Sequence, residues 1–170
     1  MSYFTHAFEA TITRHVIGKG QRTVTYTVVR LPEEMTGDLP FADHPRLRVD
    51  GEIDDYPFNG AWQPTGDGTH YLMVPKSILR EAELSVGSRV EIRFRVADQS
   101  AVAVPEALAT ALDADADLKT KWDALSAGKR RGFAHRVSSA KTEATIAKRV
   151  AEVTRMVREG LSYGKGGKVR

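Results

Sequence analysis

Apolar and polar positions alternate along most of residues 1–98, a period of two that predicts short half-buried strands. Phe8, Ala10 and Ile12 alternate with Glu9, Thr11 and Thr13, which predicts one strand over residues 7–16, closed by a Gly18-Lys19-Gly20 turn. The β-branched and aromatic run TVTYTVVR at 23–30 predicts a second strand, ended by Leu31-Pro32. Residues 33–44 are polar, with Pro40 inside and Pro45 just beyond, and read as a helical turn and a loop. RLRVDGEI at 46–53 is a third strand with Leu47 and Val49 facing inward, and Gly51 marks a bulge or bend. YPFNGAWQ at 56–63 is a fourth, followed by PTGDGT with its Asp67-Gly68 hairpin signal.

The stretch YLMVPKSILREAELSVGSRVEIRF organises this half of the chain. It reads as a strand at 71–74, a stop at Pro75, a short helix at 77–83, a turn at Gly87, and a strand in which Val90, Ile92 and Phe94 alternate with charges. Six short strands without long helical crossovers predict a small closed six-stranded β-barrel. Its solid interior would hold Phe8, Ile12, Val24, Tyr26, Leu47, Val49, Leu72, Val90 and Ile92.

After a linker at 97–104 the apolar period becomes helical. Pro105 opens a first helix with Ala107, Leu108, Ala111 and Leu112 on one face. The run DADAD at 113–117 breaks it, and Leu118, Trp122 and Leu125 share a face of a second helix at 118–125. Ser126 caps a third, carrying Phe133 and Val137, and a last helix at about 142–159 buries Ile146, Val150, Val153, Met156 and Val157 before Gly160. The domain reading is therefore a β-barrel at 1–98, a helical module at 105–160, and a flexible basic tail at 161–170.

Composition narrows the chemistry. No cysteine is present, which excludes disulfides, cysteine-ligated metals and thiol nucleophiles. The start lacks the basic and apolar regions of a signal peptide, and no apolar run approaches ~18 residues. A soluble cytoplasmic protein without a membrane partner is expected. The net charge of +3 conceals a split. Residues 1–118 hold 11 Lys and Arg against 18 Asp and Glu, and residues 119–170 hold 14 against 4. Such a split predicts two parts with different partners, or one part docked on the other.

Catalytic and metal signatures are sparse. The five histidines form no i+3 or i+4 pair, and His70 with Asp67 is the most suggestive neighbour pair. Asp50, Glu52 and Asp54 share a strand face, which reads either as a divalent-cation site or as a solvated face. Asp113, Asp115 and Asp117 open like a calcium loop, but Leu118 replaces the required glycine and no glutamate closes it. No G-x-S-x-G is present, and GKGGK at 164–168 lacks the Walker spacing. No cofactor, metal or catalytic residue is assigned. Two weaker clusters remain as candidate sites. One is a ligand site formed by Tyr56, Phe58, Trp62 and His70 in the barrel. The other is an anion or nucleic-acid face formed by Lys129, Arg130, Arg131, Lys141, Lys148 and Arg149 on the basic helices.

Two resemblances add to this reading. The segments GEIDDYPFNGAWQPTGDGTHYLMVPKSILREAELSVGSRVEI, VPEALATAL and WDALSAGKRRGFAHRVSSAKTEATIAKRVAEVTRMVREG together resemble a bacterial family of unknown function. In it a small β-barrel domain precedes a helical module named for bacteriocin protection and OmpD association. The resemblance rests on Leu125-Ser126 before Lys129-Arg130-Arg131, then Ala140-Lys141, Thr142, Thr145 and Lys148-Arg149. The chain departs from the usual Glu-Thr-Arg after Ala-Lys, reading Thr142-Glu143-Ala144-Thr145. The family implies the barrel fold and no established activity. More locally, VPKSILREAELSVGSRVEI resembles the swapped-hairpin motif of AbrB-type and antitoxin DNA-binding proteins, which implies a homodimer. The expected function is a non-enzymatic binding protein that contacts an anionic partner such as nucleic acid through its basic helices. The alternative is a small-ligand-binding barrel around Trp62 and His70.

Overall fold

A computed structural model describes residues 3–163, so residues 164–170 of the expected tail lie outside the described residues. The chain divides into two compact units, Met1–Gln99 and Ser100–Arg170.

Among its described residues the first unit carries seven strands rather than six. They are β1 (His6–Thr11), β2 (Thr13–Lys19), β3 (Arg22–Arg30), β4 (Leu47–Ile53), β5 (Tyr56–Pro64), β6 (His70–Met73) and β7 (Arg89–Val96). They form one antiparallel sheet in the order β1-β7-β4-β5-β6-β3-β2. Two short helices, α1 (Glu33–Thr36) and α2 (Lys76–Glu81), lie in the connections.

The extra strand comes from a switch of partners at Ile12. Its N–H donates to Ser88 O at 2.9 Å and its C=O accepts from Gly87 N at 2.8 Å. The strand expected over 7–16 is thereby broken. Its first half pairs with β7 at one sheet edge and its second half with β3 at the other. Among the described residues no ladder joins β1 to β2, so the sheet is an open, curled half-barrel and not a closed barrel.

The concave face is packed solid with Ile12, Val29, Leu47, Val49, Ile53, Phe58, Trp62, Leu72, Val90, Ile92 and Phe94, joined by Leu31, Leu39, Val74 and Ile78. Phe8 is half-buried against this cluster. Val24 and Tyr26 do not belong to it. The β2–β3 hairpin runs out past the core, leaving Val24 53% exposed and Tyr26 half-buried. Val29 takes the interior position instead.

Gly51 is no bulge. It sits in regular register between Phe58 and Phe94. A Cβ there would lie 2.3 Å from the Arg93 carbonyl oxygen and 2.8 Å from the Phe58 ring, so close approach of chain to chain requires glycine. Asp54 and Asp55 make the two-residue β4–β5 turn in the left-handed region, at φ 45° and 67°, which aspartate tolerates.

Among its described residues the second unit holds four helices: α3 (Glu106–Asp113), α4 (Ala116–Asp123), α5 (Ala127–Ser138) and α6 (Glu143–Arg158). Asp115, Ser126 and Thr142 are the N-caps of α4, α5 and α6, and each side chain accepts from the backbone N–H three residues on. Asp115 thus starts α4 inside the run read as a break. Leu108, Leu112, Leu118, Trp122, Phe133, Val137, Val153, Met156 and Val157 form this unit's own core. No helix of the described residues is long and apolar enough to cross a membrane.

Candidate functional site

The aromatic cluster proposed for the barrel is brought together only in part. Tyr56, Phe58 and Trp62 share the concave face of β5, because residues two apart point the same way along a strand. Trp62 is fully buried, 6.1 Å from the Phe8 ring and 5.5 Å from the Phe94 ring. The Tyr56 hydroxyl donates to the Glu81 carbonyl at 3.3 Å. His70 begins β6 opposite Pro64 and stacks on Phe41 at 3.7 Å. Two polar atoms in this region, Trp62 Nε1 and His70 Nδ1, are buried without a hydrogen-bond partner.

Asp67 and His70 take different parts. The Asp67 carboxylate accepts from the hydroxyls of Thr65 and Thr69 and from the Thr69 N–H, which holds its pKa well below the usual carboxylate range. It knits the β5–β6 turn. The His70 imidazole is lowered from its ordinary value of 6.5, first by burial, against an opposing pull from the Asp67 charge.

On the convex face the acidic strand positions are already partnered. Asp50 accepts from Asn59 at 2.7 Å and lies 3.7 Å from Arg95. Arg93 bridges Glu52 at 3.3 Å and also Asp55. Arg95 stacks on Tyr3 at 4.1 Å, beside an open concavity of about 390 Å³ that includes Phe4, Asp50, Glu52 and Asn59. Charges that pair within the sheet leave little for a divalent cation. Among the described residues no group of three or more His, Asp or Glu side chains is set to hold a metal ion.

The six basic positions of the helical unit separate into two kinds. Arg149 is half-buried and donates to the Arg136 carbonyl and to Ser139 Oγ, both at 2.8 Å, so it closes the carboxyl end of α5. Arg131 is half-buried and donates to the Ala101 carbonyl at 3.3 Å. Arg130 is half-buried as well, with its Nε out of contact with solvent. Lys129, Lys141 and Lys148 are exposed, and no ion pair holds them among the described residues. Spacing alone weights all six equally, because burial of an arginine stem is invisible to it.

Acids of this unit are largely occupied. Arg158 pairs with Asp115, Lys121 with Asp117, Lys119 with Asp123 and Arg155 with Glu159, at 2.9–3.2 Å. Glu152 accepts from Arg136 at 3.1 Å and from the Tyr163 hydroxyl at 3.0 Å. Burial and then the Glu152 hydrogen bond raise the Tyr163 phenol above its ordinary 10.0. Charge patterning did not point to Tyr163, which pins the segment after α6 back onto the helices.

The exposed face of α6 is smooth. Ala144 and Ala147 are exposed before Lys148, and Ala151 is exposed between Lys148 and Arg155, which stand seven residues apart. Seven residues are two turns, so the two cations align about 10.5 Å apart.

Comparison with known families matches residues 8–94 to the model described as Domain of unknown function (DUF1905). Residues 101–160 match the model described as Bacteriocin-protection, YdeI or OmpD-Associated. No curated protein matches the chain.

Proposed function

The chain belongs to the family described as Domain of unknown function (DUF1905), followed by a Bacteriocin-protection, YdeI or OmpD-Associated segment, and from that premise we propose a non-enzymatic binding protein of the cytoplasm. Its helical unit holds an anionic, phosphate-bearing partner, with nucleic acid as the leading class. The observation that carries this reading is the set of exposed lysines, Lys129, Lys141 and Lys148, free of ion pairs among the described residues while most acids of the unit are engaged elsewhere. The alanine-smoothed face of α6 beside Lys148 admits close approach of a polyanion backbone. Arg149 keeps its charge while bonding neutral oxygens, and adds to the local positive potential.

The test is an anisotropy titration of labelled duplex and single-stranded nucleic acid at two salt concentrations. Three lysine–phosphate contacts give a slope of log K on log salt of about −2.7, a loss of roughly 40-fold between 50 and 200 mM. Changing Lys129, Lys141 and Lys148 together to alanine should flatten that slope. Absence of saturable binding at the lower salt sinks the proposal.

A second reading, a small polar ligand at the aromatic cluster, is favoured by the two unpartnered buried atoms, Trp62 Nε1 and His70 Nδ1. It would change Trp62 emission in a Trp122→Phe background and survive high salt.

A further inference from the structure

A concavity of about 200 Å³ opens on the amino-terminal half of α5, lined by Gly128, Lys129, Gly132, Phe133, Ser162 and Tyr163. Gly128 and Gly132 stand one turn apart on one face of the helix. Glycine is among the poorest helix formers, yet neither of the two has the positive φ that would require it. A Cβ at either position meets nothing within 4 Å. Backbone and packing therefore do not ask for glycine here, and what the pair leaves is room.

The walls of the hollow combine aromatic surface with one cation. Phe133 is buried, and its ring lies 5.5 Å from that of Tyr163, tilted by 56°. The Tyr163 hydroxyl donates to Glu152 at 3.0 Å, so the ring is fixed before any ligand arrives. Lys129 is exposed, and no ion pair holds it among the described residues. Its backbone N–H already donates to Ser126 Oγ at 3.3 Å, so the positive charge offered here is the ammonium's and not the helix end's. No carboxylate lines the hollow among the described residues, and Glu152 is paired with Arg136 at 3.1 Å.

We propose that this hollow seats one unpaired base of a single-stranded nucleic acid, stacked on Tyr163, with the adjoining phosphate at Lys129. The proposal rests on the reading that the helical unit holds nucleic acid, and narrows that reading to single strands. Size and chemistry together choose the occupant. At about 30 Å³ per water the hollow has the room of six or seven waters, enough for one flat ring system. It falls below the roughly 300 Å³ at which sites for whole drug-sized ligands begin. A fixed aromatic ring beside a free ammonium matches a nucleotide, whose flat base adjoins an anionic phosphate. Lysine contacts to phosphate do not distinguish duplex from single strand, but the hollow does, because a paired base lies inside its own stack and cannot enter.

The test compares a labelled oligothymidylate with a duplex of the same length, by anisotropy at low salt. Gly132→Leu fills the hollow at a helix position with space for a side chain, and Tyr163→Leu removes the stacking ring. Each should weaken single-strand binding about fivefold or more, the loss of one base–aromatic stack, and leave duplex binding at the parent's value. Tyr163→Phe, which gives up only the Glu152 bond, should hold the single strand as the parent does. Far-UV circular dichroism checks the helices, and Gly132→Leu decides the matter if Tyr163→Leu loosens them. The proposal is overturned if Gly132→Leu binds the single strand like the parent, or if it loses duplex binding equally. It is also overturned if free thymidine monophosphate competes as well per nucleotide as the oligomer, which would assign the hollow to a free nucleotide. In the first two cases salt-sensitive binding that depends on Lys129, Lys141 and Lys148 leaves the broader reading standing, whereas no saturable binding of either form overturns both.

Discussion

One substitution, glycine to alanine, should have opposite signs in the two units. At Gly51 the new Cβ would sit 2.3 Å from the Arg93 carbonyl oxygen, where ordinary contact begins near 3.4 Å, so β4 and β7 must part by about an ångström. Overpacking of this kind costs about 1–3 kcal/mol, and stretching a ladder hydrogen bond adds about 1 kcal/mol. Against that, alanine stiffens the unfolded chain by about 0.4–1 kcal/mol. The net expectation for Gly51→Ala is a loss of about 2–3 kcal/mol, or roughly 8–20 °C in Tm for a unit of this size. At Gly132, inside α5, a Cβ meets nothing within 4 Å. There alanine only removes a helix-interior penalty, a gain of about 1 kcal/mol and roughly 4–8 °C. The two tryptophans permit a clean assay, since Trp62 lies in the half-barrel and Trp122 in the helical unit. Trp62 emission in a Trp122→Phe background follows the first unit, and far-UV circular dichroism follows the helices. Gly51→Ala within about 0.5 kcal/mol of the parent would refute the close-approach argument, which expects several times that. A destabilising Gly132→Ala would mean that something outside the helical core packs against the α5 backbone.

Two further predictions concern pH. His70 is held neutral by burial, so its folded pKa lies below 6.5; the half-barrel should be most stable above that pH and lose stability as pH falls below it. Urea melts of His70→Phe, which preserves the Phe41 stack, should lack that acid dependence. Tyr163 titrates in the other direction. Its raised phenol pKa contributes stability below 10.0 that disappears as pH rises through the folded value, and Tyr163→Phe should remove this alkaline loss from the helical unit.

Local pattern made most strands and all four C-terminal helices legible, because each buries one face at a simple period. What alternation could not reveal was the change of partner at Ile12. Phe8, Ala10 and Ile12 open what reads as one strand over residues 7–16, and only the hydrogen bonds to Gly87 and Ser88, some 75 residues away, divide it. Closure was misjudged for the same reason. A seventh strand at an open edge looks, in sequence, like the continuation of the first. Val24 was assigned to the core by β-propensity, which describes a pleated surface and says nothing about whether a core lies beneath it. The sequence marks Gly51 as a bulge or bend; its role in close packing depends on Phe58 and Arg93, which sequence does not place beside it.

The candidate chemistry sorts by whether a side chain is already occupied. Trp62 and Phe58 fill the core, Asp67 ties a turn, Glu52 and Asp50 meet arginines, and Glu152 holds Tyr163 and Arg136. A general acid, base or metal ligand must keep a lone pair or proton available to substrate, and these groups spend theirs on the fold. The uncommitted features are of another sort: exposed lysines on α5 and beside or within α6, and an open strand edge flanked by Val16 and Ile17. The proposed function uses the first of these, the exposed lysines, as an electrostatic recognition surface. Salt acts on it directly, since counterion release weakens a phosphate contact. Raising salt should therefore weaken polyanion binding, and an anisotropy titration whose midpoint ignores salt would refute the phosphate-contact reading.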